Sequence, residues 1–253
     1  MRWYKILHHW SVDVGIGAVL FQIYFHKILK GQLPEKELSI ALFLGLWLIY
    51  LLDRKIDVSI FPITDQRHLN QQKSQWTFWM LVVGIGISLA FVLFLLPQEV
   101  ICQGIILSIG IAFYWLATIF KWFNKYLKKE FFTALFYALG IFIPFQMGFN
   151  NLLLILLVLL FLLVFHHLKL FLYFAQPENK VQNRLIISLE FLIVGLLISL
   201  IIYSNFSFWQ VLPLTITLGV QLIIHYFYPN LKMRGLAEIA YWSPIIYLIY
   251  DIF

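Results

Sequence analysis

The chain has 253 residues, of which 62% are hydrophobic and 12% are charged. A soluble domain carries about twice that share of charged residues, so the composition excludes an ordinary soluble protein and indicates an integral membrane protein. The net charge of +6 is explained by bases placed between apolar segments, so we predict no nucleic-acid partner. The single cysteine, Cys102, excludes an internal disulfide and a cysteine-based metal site.

Apolar segments of membrane-spanning length recur along the whole chain. They predict one polytopic all-α membrane domain over residues 1–253, with nine transmembrane helices in a lipid bilayer. The predicted spans are roughly 9–29, 38–53, 76–96, 99–120, 131–148, 150–174, 184–204, 207–228 and 235–252.

The positions of Lys and Arg predict the orientation of the chain. With the N-terminus in the cytoplasm, the polar loops 2–3, 4–5, 6–7 and 8–9 all lie inside. Only Lys27, Lys30 and Lys36 of the 18 Lys and Arg residues then fall outside. We therefore predict a multi-pass protein of an inner or plasma membrane, with a cytoplasmic N-terminus and an external C-terminus.

The first span contains a carboxylate, Asp13, a few residues from its start. A charge at that depth is costly unless it faces the interior of the bundle or reaches the interface. Two interpretations stay open. Asp13 snorkels or binds a neighbouring helix, or it lines the same cavity as Asp53.

The segment 47–68 holds the densest group of acids and bases beside any predicted span. Asp53 and Asp57 are four residues apart, so on a continuous helix both carboxylates project from one face. Such a pair can hold a hydrated divalent cation that bridges to a diphosphate, which Arg67 and His68 could contact. The alternative is a solvated helix end whose carboxylates pair with neighbouring bases, namely Arg54, Lys55 or Arg67.

Two glutamates lie within later spans and are candidate cavity residues. Glu190 has no base one turn away, which predicts a partner on another helix or a polar cavity. Glu238 lies four residues after Arg234 and either pairs with it or faces a cavity.

Two adjacent histidines, His166 and His167, lie near the inner end of the sixth span. Successive residues diverge by about 100° on a helix, so these two rings are poorly placed to hold one metal ion. Lys169 follows near the predicted interface, where it could contact phosphate.

Several short strings resemble one family. Residues Trp47 to Asp57 follow the pattern W-x-x-Y-x-x-D-R-x-x-D, and Arg67-His68 comes after them. Lys129-Glu130 leads to Gly140 and Pro144, and Arg234 and Glu238 lie around the start of the last span. Together with nine spans and an inward N-terminus, these strings resemble the UbiA superfamily of intramembrane prenyltransferases.

The resemblance implies a helical bundle around a central cavity open to the cytoplasmic side. It implies two aspartate motifs, in loops 2–3 and 6–7, that hold Mg²⁺ and the diphosphate of a prenyl donor. Asp53 and Asp57 would be the catalytic metal ligands, with Arg54 and Arg67 near the diphosphate. The implied substrates are an isoprenoid diphosphate and a lipid-soluble acceptor, in prenyl transfer or in cyclisation.

Loop 6–7 departs from that pattern because it contains no aspartate. Asn179 and Asn183 have the spacing of the second motif but are neutral. Three bases could pair with phosphate in place of a second ion: Lys169, Lys180 and Arg184. Chemistry with one Mg²⁺ ion, a changed substrate and lost catalysis all stay open.

Two other functions stay open. A non-catalytic UbiA-like isoprenoid-binding or partner subunit would explain the acid-free loop 6–7. A transporter would explain the intramembrane acids Asp13, Glu190 and Glu238. No pair of spans carries matching Gly or Pro breaks, which disfavours the transporter.

Overall fold

The computed structural model describes residues 10–60, 75–120, 128–145, 151–175, 180–203 and 206–251, without the side chains at positions 58–60, 128, 180, 203 and 232. All regular secondary structure in these ranges is helical. The first eight helices are α1 Val12–Lys30, α2 Lys36–Ile60, α3 Gln75–Leu93, α4 Gln98–Ile119, α5 Lys128–Phe142, α6 Asn151–Ala175, α7 Lys180–Tyr203 and α8 Phe208–Phe227. A 3₁₀ turn Leu231–Met233, α9 Arg234–Ile239, a second 3₁₀ turn Ala240–Trp242 and α10 Pro244–Tyr250 complete the described fold.

Six helices in the described part of the chain are long and apolar enough to cross a membrane: α1, α3, α4, α6, α7 and α8. The protein is therefore a helical membrane protein with several spans, as its composition predicts. The number nine stays a prediction, because α2, α5 and the segment after α8 are not among these six.

Three predicted spans differ from the helices in the structure. α2 continues to Ile60, so it passes through both aspartates at the predicted end of the second span. α5 ends at Phe142, two residues before Pro144, because the residue before a proline disfavours helical dihedrals. The predicted span 235–252 is divided into α9, a 3₁₀ turn and α10, whose first residue, Pro244, has no N–H to continue a helix.

An aromatic core holds α1 at the centre of the bundle. Phe21, Tyr24 and Phe25 of α1 are fully buried. Phe25 lies 4.9 Å from the ring of Phe142 on α5, and Tyr24 lies 5.5 Å from the ring of Tyr247 on α10. Half of α1 and of α6 is buried, against 17% of α3 and 22% of α4, so the α3–α4 hairpin is peripheral and exposes its apolar side chains.

Polar contacts between helices lie at both ends of α5. At the C-terminal end of α5, Lys30 of α1 donates to the Pro144 carbonyl at 3.4 Å, and Lys27 pairs with Asp251 at 2.8 Å. At the N-terminal end, Lys129 contacts the aspartates of α2. This grouping agrees with the predicted sidedness, while the identity of the cytoplasmic side stays a prediction.

Candidate functional site

Asp53 and Asp57 converge on a single ammonium group. Both lie on one face of α2, one turn apart. The Nζ atom of Lys129, in the first turn of α5, lies 3.6 Å from Asp53 Oδ2 and donates a hydrogen bond to Asp57 Oδ1. Trp115 on α4 lines a cavity together with Asp53. Three helices therefore build this carboxylate pair.

The carboxylate pair fits one divalent cation. Its two carboxylates direct oxygens at one positive charge, the ammonium of Lys129, and a metal ion in place of that ammonium would meet the same oxygens. No group of three or more His, Cys, Asp or Glu suited to a metal occurs among the described residues. A cation held by Asp53 and Asp57 would therefore complete its shell with water and ligand oxygens, as Mg²⁺ commonly does.

The charges around Lys129 favour its protonated form. Burial alone would lower the pKa of Lys129, but the carboxylates of Asp53 and Asp57 outweigh this effect and raise the pKa above its ordinary value of 10.5. Lys129 is therefore a stable counter-ion at neutral pH, and any metal ion would have to displace it.

A second ion pair lies beside the first. Lys169 of α6 is buried, and its Nζ lies 3.0 Å from Oε2 of Glu130, which follows Lys129 on α5. The same Nζ lies 5.4 Å from the centroid of the Phe165 ring. Lys169 is thus held by Glu130 and Phe165 inside the bundle, next to the carboxylate pair.

Two narrow cavities adjoin these residues. The aspartate cavity, about 30 Å³, lies between α2, α4 and α5 and is lined by Leu46, Ile49, Tyr50, Asp53, Ile111, Tyr114, Trp115, Thr133, Phe136 and Tyr137. The arginine cavity, about 50 Å³, is lined by Val14, Tyr50, Tyr137, Val164, His167, Leu168, Arg234, Glu238 and Tyr241. Tyr50 and Tyr137 line both cavities and so form the wall between them. The hollow next to Asp53 is thus divided, and each part is far smaller than the roughly 300 Å³ of a small ligand pocket.

The arginine cavity is polar on one side. Arg234 Nε donates to Glu238 Oε1 at 3.0 Å, which is the i, i+4 pairing that the spacing predicts. Both residues also line the cavity, so Glu238 pairs with Arg234 and faces a cavity at the same time. His167 lines it as well, and its buried Nδ1 has no hydrogen-bond partner among the described residues.

Glu190 has partners on two other helices, as expected for a glutamate without a nearby base. Its Oε1 lies 3.2 Å from His166 Nε2 and 2.7 Å from His225 Nδ1, and its Oε2 accepts from the Tyr226 hydroxyl at 2.8 Å. His166 faces this acid whereas His167 faces the arginine cavity, so the two rings diverge as the helix geometry predicts.

The other predicted site residues lie elsewhere in the fold, next to Asp53 in sequence, or outside the described residues. Asp13 is buried in the first turn of α1, where its Oδ1 accepts from the Val14 amide at 3.1 Å, and it is not among the residues that line the aspartate cavity. Asn183 Oδ1 lies 3.3 Å from His225 Nε2, and Arg184 is exposed. Arg54 is half-buried beside Asp53. Arg67, His68, Asn179 and the side chain of Lys180 lie outside the described residues.

Sequence reasoning missed the residues that neutralise these acids. The alternative for Asp53 and Asp57 named bases near them in sequence, and it did not name Lys129, which lies 72 residues after Asp57. Likewise, His225 and Tyr226 were not predicted as partners of Glu190. The one available signal was that polar residues within apolar segments must find each other.

The comparisons with known proteins give no relative. No family model matches the sequence, no curated protein matches it, and no solved structure matches its fold. The resemblance to the UbiA superfamily therefore stays a prediction that rests on the short strings quoted above.

Proposed function

We propose that this protein is a UbiA-like membrane enzyme that acts on an isoprenoid diphosphate, by transfer to a lipid-soluble acceptor or by cyclisation. The observation that carries the proposal is the convergence of Asp53 and Asp57 on one positive charge at the edge of a cavity between membrane helices. A carboxylate pair on one face of a helix suits a hydrated Mg²⁺ that bridges to phosphate.

The residues around the pair supply complementary roles. Mg²⁺, when bound, would neutralise the diphosphate and so ease its departure from the prenyl group. Asp53 and Asp57 would hold that ion. Lys129, once released from them, would be a cation within reach of the phosphate oxygens. The apolar walls of the aspartate cavity, with Tyr50 and Tyr137, would exclude water from the hydrocarbon chain.

Substrate entry requires the helices to move. The two cavities are too small for a prenyl chain, and Tyr50 and Tyr137 separate them. Rotation of these two side chains would join the aspartate cavity to the arginine cavity and lengthen the available space. The prenyl chain would then extend from Asp53 toward Arg234 and Glu238.

Turnover by the purified protein tests this proposal. The protein in lipid nanodiscs receives polyprenyl diphosphates of graded length with Mg²⁺ and a quinol acceptor, and pyrophosphate release is measured. We expect D53N and D57N each to lose at least about 100-fold in rate, because several kcal/mol of charge stabilisation would disappear. The matched control is E99Q, which removes an exposed carboxylate from the first turn of α4.

Turnover that is independent of Mg²⁺, or unaltered in D53N and D57N, would contradict the enzymatic proposal. A non-catalytic isoprenoid-binding subunit is the second candidate, because Lys129 already neutralises the carboxylate pair. Saturable binding of a polyprenyl diphosphate without pyrophosphate release would favour this second candidate.

A further inference from the structure

We propose that the arginine cavity is a binding site for the hydroxyl end of a membrane-soluble primary alcohol, which His167 holds by a hydrogen bond. This site goes beyond the prenyl-diphosphate reaction, because it requires neither Mg²⁺ nor the carboxylate pair. It also exists with Tyr50 and Tyr137 in place, whereas a prenyl chain would reach the arginine cavity only after these two side chains rotate. The two proposals therefore stand or fall separately.

His167 is the residue that points to a ligand. Its side chain is buried and lines the arginine cavity, and its Nδ1 has no hydrogen-bond partner among the residues that the structure describes. Buried polar atoms are usually paired with protein or with a bound molecule, because an unpaired one costs free energy. The cavity beside His167 is the space in which such a partner can lie.

Packing holds the His167 ring in place before a ligand arrives. Its centroid lies 5.1 Å from that of the Phe171 ring and 5.5 Å from that of the Tyr241 ring, which it meets edge to face. The Phe171 ring also contacts Arg234, whose Cζ lies 5.9 Å from its centroid. One buried ring therefore positions both His167 and Arg234, and a ligand would pay little to order them.

A hydroxyl group suits Nδ1 in either neutral tautomer of the imidazole. Nδ1 donates in one tautomer and accepts in the other, and a hydroxyl group can do both. A carbonyl oxygen only accepts, so it would serve one tautomer alone. A hydroxyl group therefore complements His167 wherever the ring proton lies.

The charges at the cavity favour a neutral ligand. Arg234 Nε donates to Glu238 Oε1 at 3.0 Å, so the two charges that line the cavity balance each other. An acid in the cavity would meet the carboxylate of Glu238, and an amine would meet the guanidinium of Arg234. Like charges at such short range repel strongly. A hydroxyl group is polar and leaves this balance unchanged.

The size of the cavity admits only the end of a larger molecule. A cavity of about 150 Å³ holds benzene, so the arginine cavity, at about 50 Å³, holds roughly two or three non-hydrogen atoms. These would be the hydroxyl oxygen and the unbranched carbon next to it. A primary alcohol has this slender end, whereas a ring or a branched carbon at the hydroxyl group would not fit.

The rest of the alcohol would lie on apolar surface. Val14, Val164 and Leu168 line the same cavity. Val164 is buried like His167, whereas Val14 and Leu168 are half-buried. The lining therefore changes from a buried polar group to partly exposed aliphatic side chains, which suits a hydroxyl group followed by a hydrocarbon chain. Alcohols of this kind partition into the bilayer that surrounds a membrane protein.

Photolabelling of the full chain in lipid nanodiscs tests this inference. The probe is an octanol with a diazirine near its hydroxyl group, and mass spectrometry locates the labelled residues. We expect saturable labelling of the residues that line the arginine cavity, and displacement of the label by excess unlabelled octanol. Octanoate and octylamine have the same chain length but carry a charge, so they should displace the label far less.

Two substitutions at His167 separate hydrogen bonding from shape. H167L removes Nδ1 and should weaken octanol displacement by about 2- to 10-fold, which corresponds to one neutral hydrogen bond. H167Q keeps a donor and an acceptor, so it should restore most of that loss. The matched control is H26L, which removes a histidine from the last two turns of α1 that does not line the cavity and should leave displacement unchanged.

Label confined to membrane-facing residues, or label that octanol does not displace, would show partition into the bilayer only and would overturn the inference. Equal displacement by octanoate and octylamine would also overturn it. These results come from the unsubstituted protein, so they decide the matter even where H167L fails to fold. Unchanged displacement in a folded H167L would refute the role of His167. No measurement uses Mg²⁺ or pyrophosphate release, so a failed prenyl-diphosphate assay leaves this test intact.

Discussion

The carboxylate pair on α2 and Glu190 on α7 are both acids among apolar helices, but they are neutralised in different ways. Asp53 and Asp57 share the ammonium of Lys129, and these three side chains are 20–30% exposed. Glu190 is 7% exposed and contacts two imidazole rings and one tyrosine hydroxyl. A lysine on a flexible stem can exchange with another cation, whereas packed rings cannot withdraw without disturbing the core. The first region is therefore suited to ligand exchange and the second to keeping a fixed charge.

The largest expected loss of stability comes from substitution of Glu190. E190A leaves the buried His166 and His225 without the carboxylate that they share with the exposed Tyr226. We expect the free energy of unfolding to fall by about 3–5 kcal/mol, the usual cost of removing one partner of a buried ion pair. Thermal or denaturant unfolding in detergent measures the loss. E190Q, which keeps the shape and one acceptor oxygen, should lose less, and an equal loss in both would show that the charge of Glu190 matters more than its shape.

At Lys129, the counter-ion of Asp53 and Asp57, we expect a smaller loss of stability that a metal ion can reverse. K129M removes the ammonium that Asp53 and Asp57 share, and we expect a loss of about 2 kcal/mol, reduced from the fully buried case by their partial exposure. Millimolar Mg²⁺ should restore most of the lost stability by binding the two carboxylates.

The matched control breaks an ion pair that contains only one carboxylate. K27M removes the partner of Asp251, whose side chain is 33% exposed at the other end of the bundle. We expect this loss to be small and insensitive to Mg²⁺. If K27M and K129M respond alike to Mg²⁺, the ion acts on the whole protein and not at Asp53 and Asp57.

The sequence could predict the acids in this comparison but not their partners. Apolar segment lengths predict a helical membrane protein, because a span of hydrocarbon requires about 20 residues. The spacing of Asp53 and Asp57 predicts a common face for any continuous helix. Lys129 is distant along the chain, and only the packing of α2 against α5 brings it to them. Helix periodicity does not encode which helices pack together.

The C-terminal segment shows a second limit of sequence reasoning. Residues 235–252 have the hydropathy of a span, yet α9 and α10 have only six and seven residues. The interruption puts Tyr241 and Ser243 in reach of α8, where Ser243 Oγ donates to the Pro213 carbonyl at 2.7 Å. Pro244 was the local signal for this break, because a proline favours the start of a new helix.

The pH dependence of stability separates the Lys129 ion pair from the rest of the fold. Because the folded-state pKa of Lys129 is raised above 10.5, its stabilising contribution is present below that value and is lost as the pH rises through the folded pKa. The free energies of unfolding of the unsubstituted protein and K129M should therefore converge in strongly alkaline buffer, closing the gap of about 2 kcal/mol expected at neutral pH. A gap that stays constant with pH would mean that Lys129 contributes through its aliphatic stem.

The smallest expected effects come from alanine substitutions at two glycines, one packed against Tyr241 and the other on the helix that carries Asp53. A Cβ atom at Gly17 on α1 would lie 3.1 Å from the Tyr241 Cβ, whereas one at Gly45 on α2, two turns before Asp53, would meet nothing within 4 Å. G45A should raise the free energy of unfolding by about 0.5–1 kcal/mol, since alanine favours a helix over glycine by that amount. G17A should lose that gain to the contact with Tyr241 and fall about 1 kcal/mol below the unsubstituted protein. Unfolding measurements on both variants check this, and equal stabilisation would mean that Tyr241 moves freely. A mobile Tyr241 would in turn weaken the distinction between a fixed and an exchangeable region, because the Tyr241 hydroxyl accepts from Gln221, which contacts His166, a partner of Glu190.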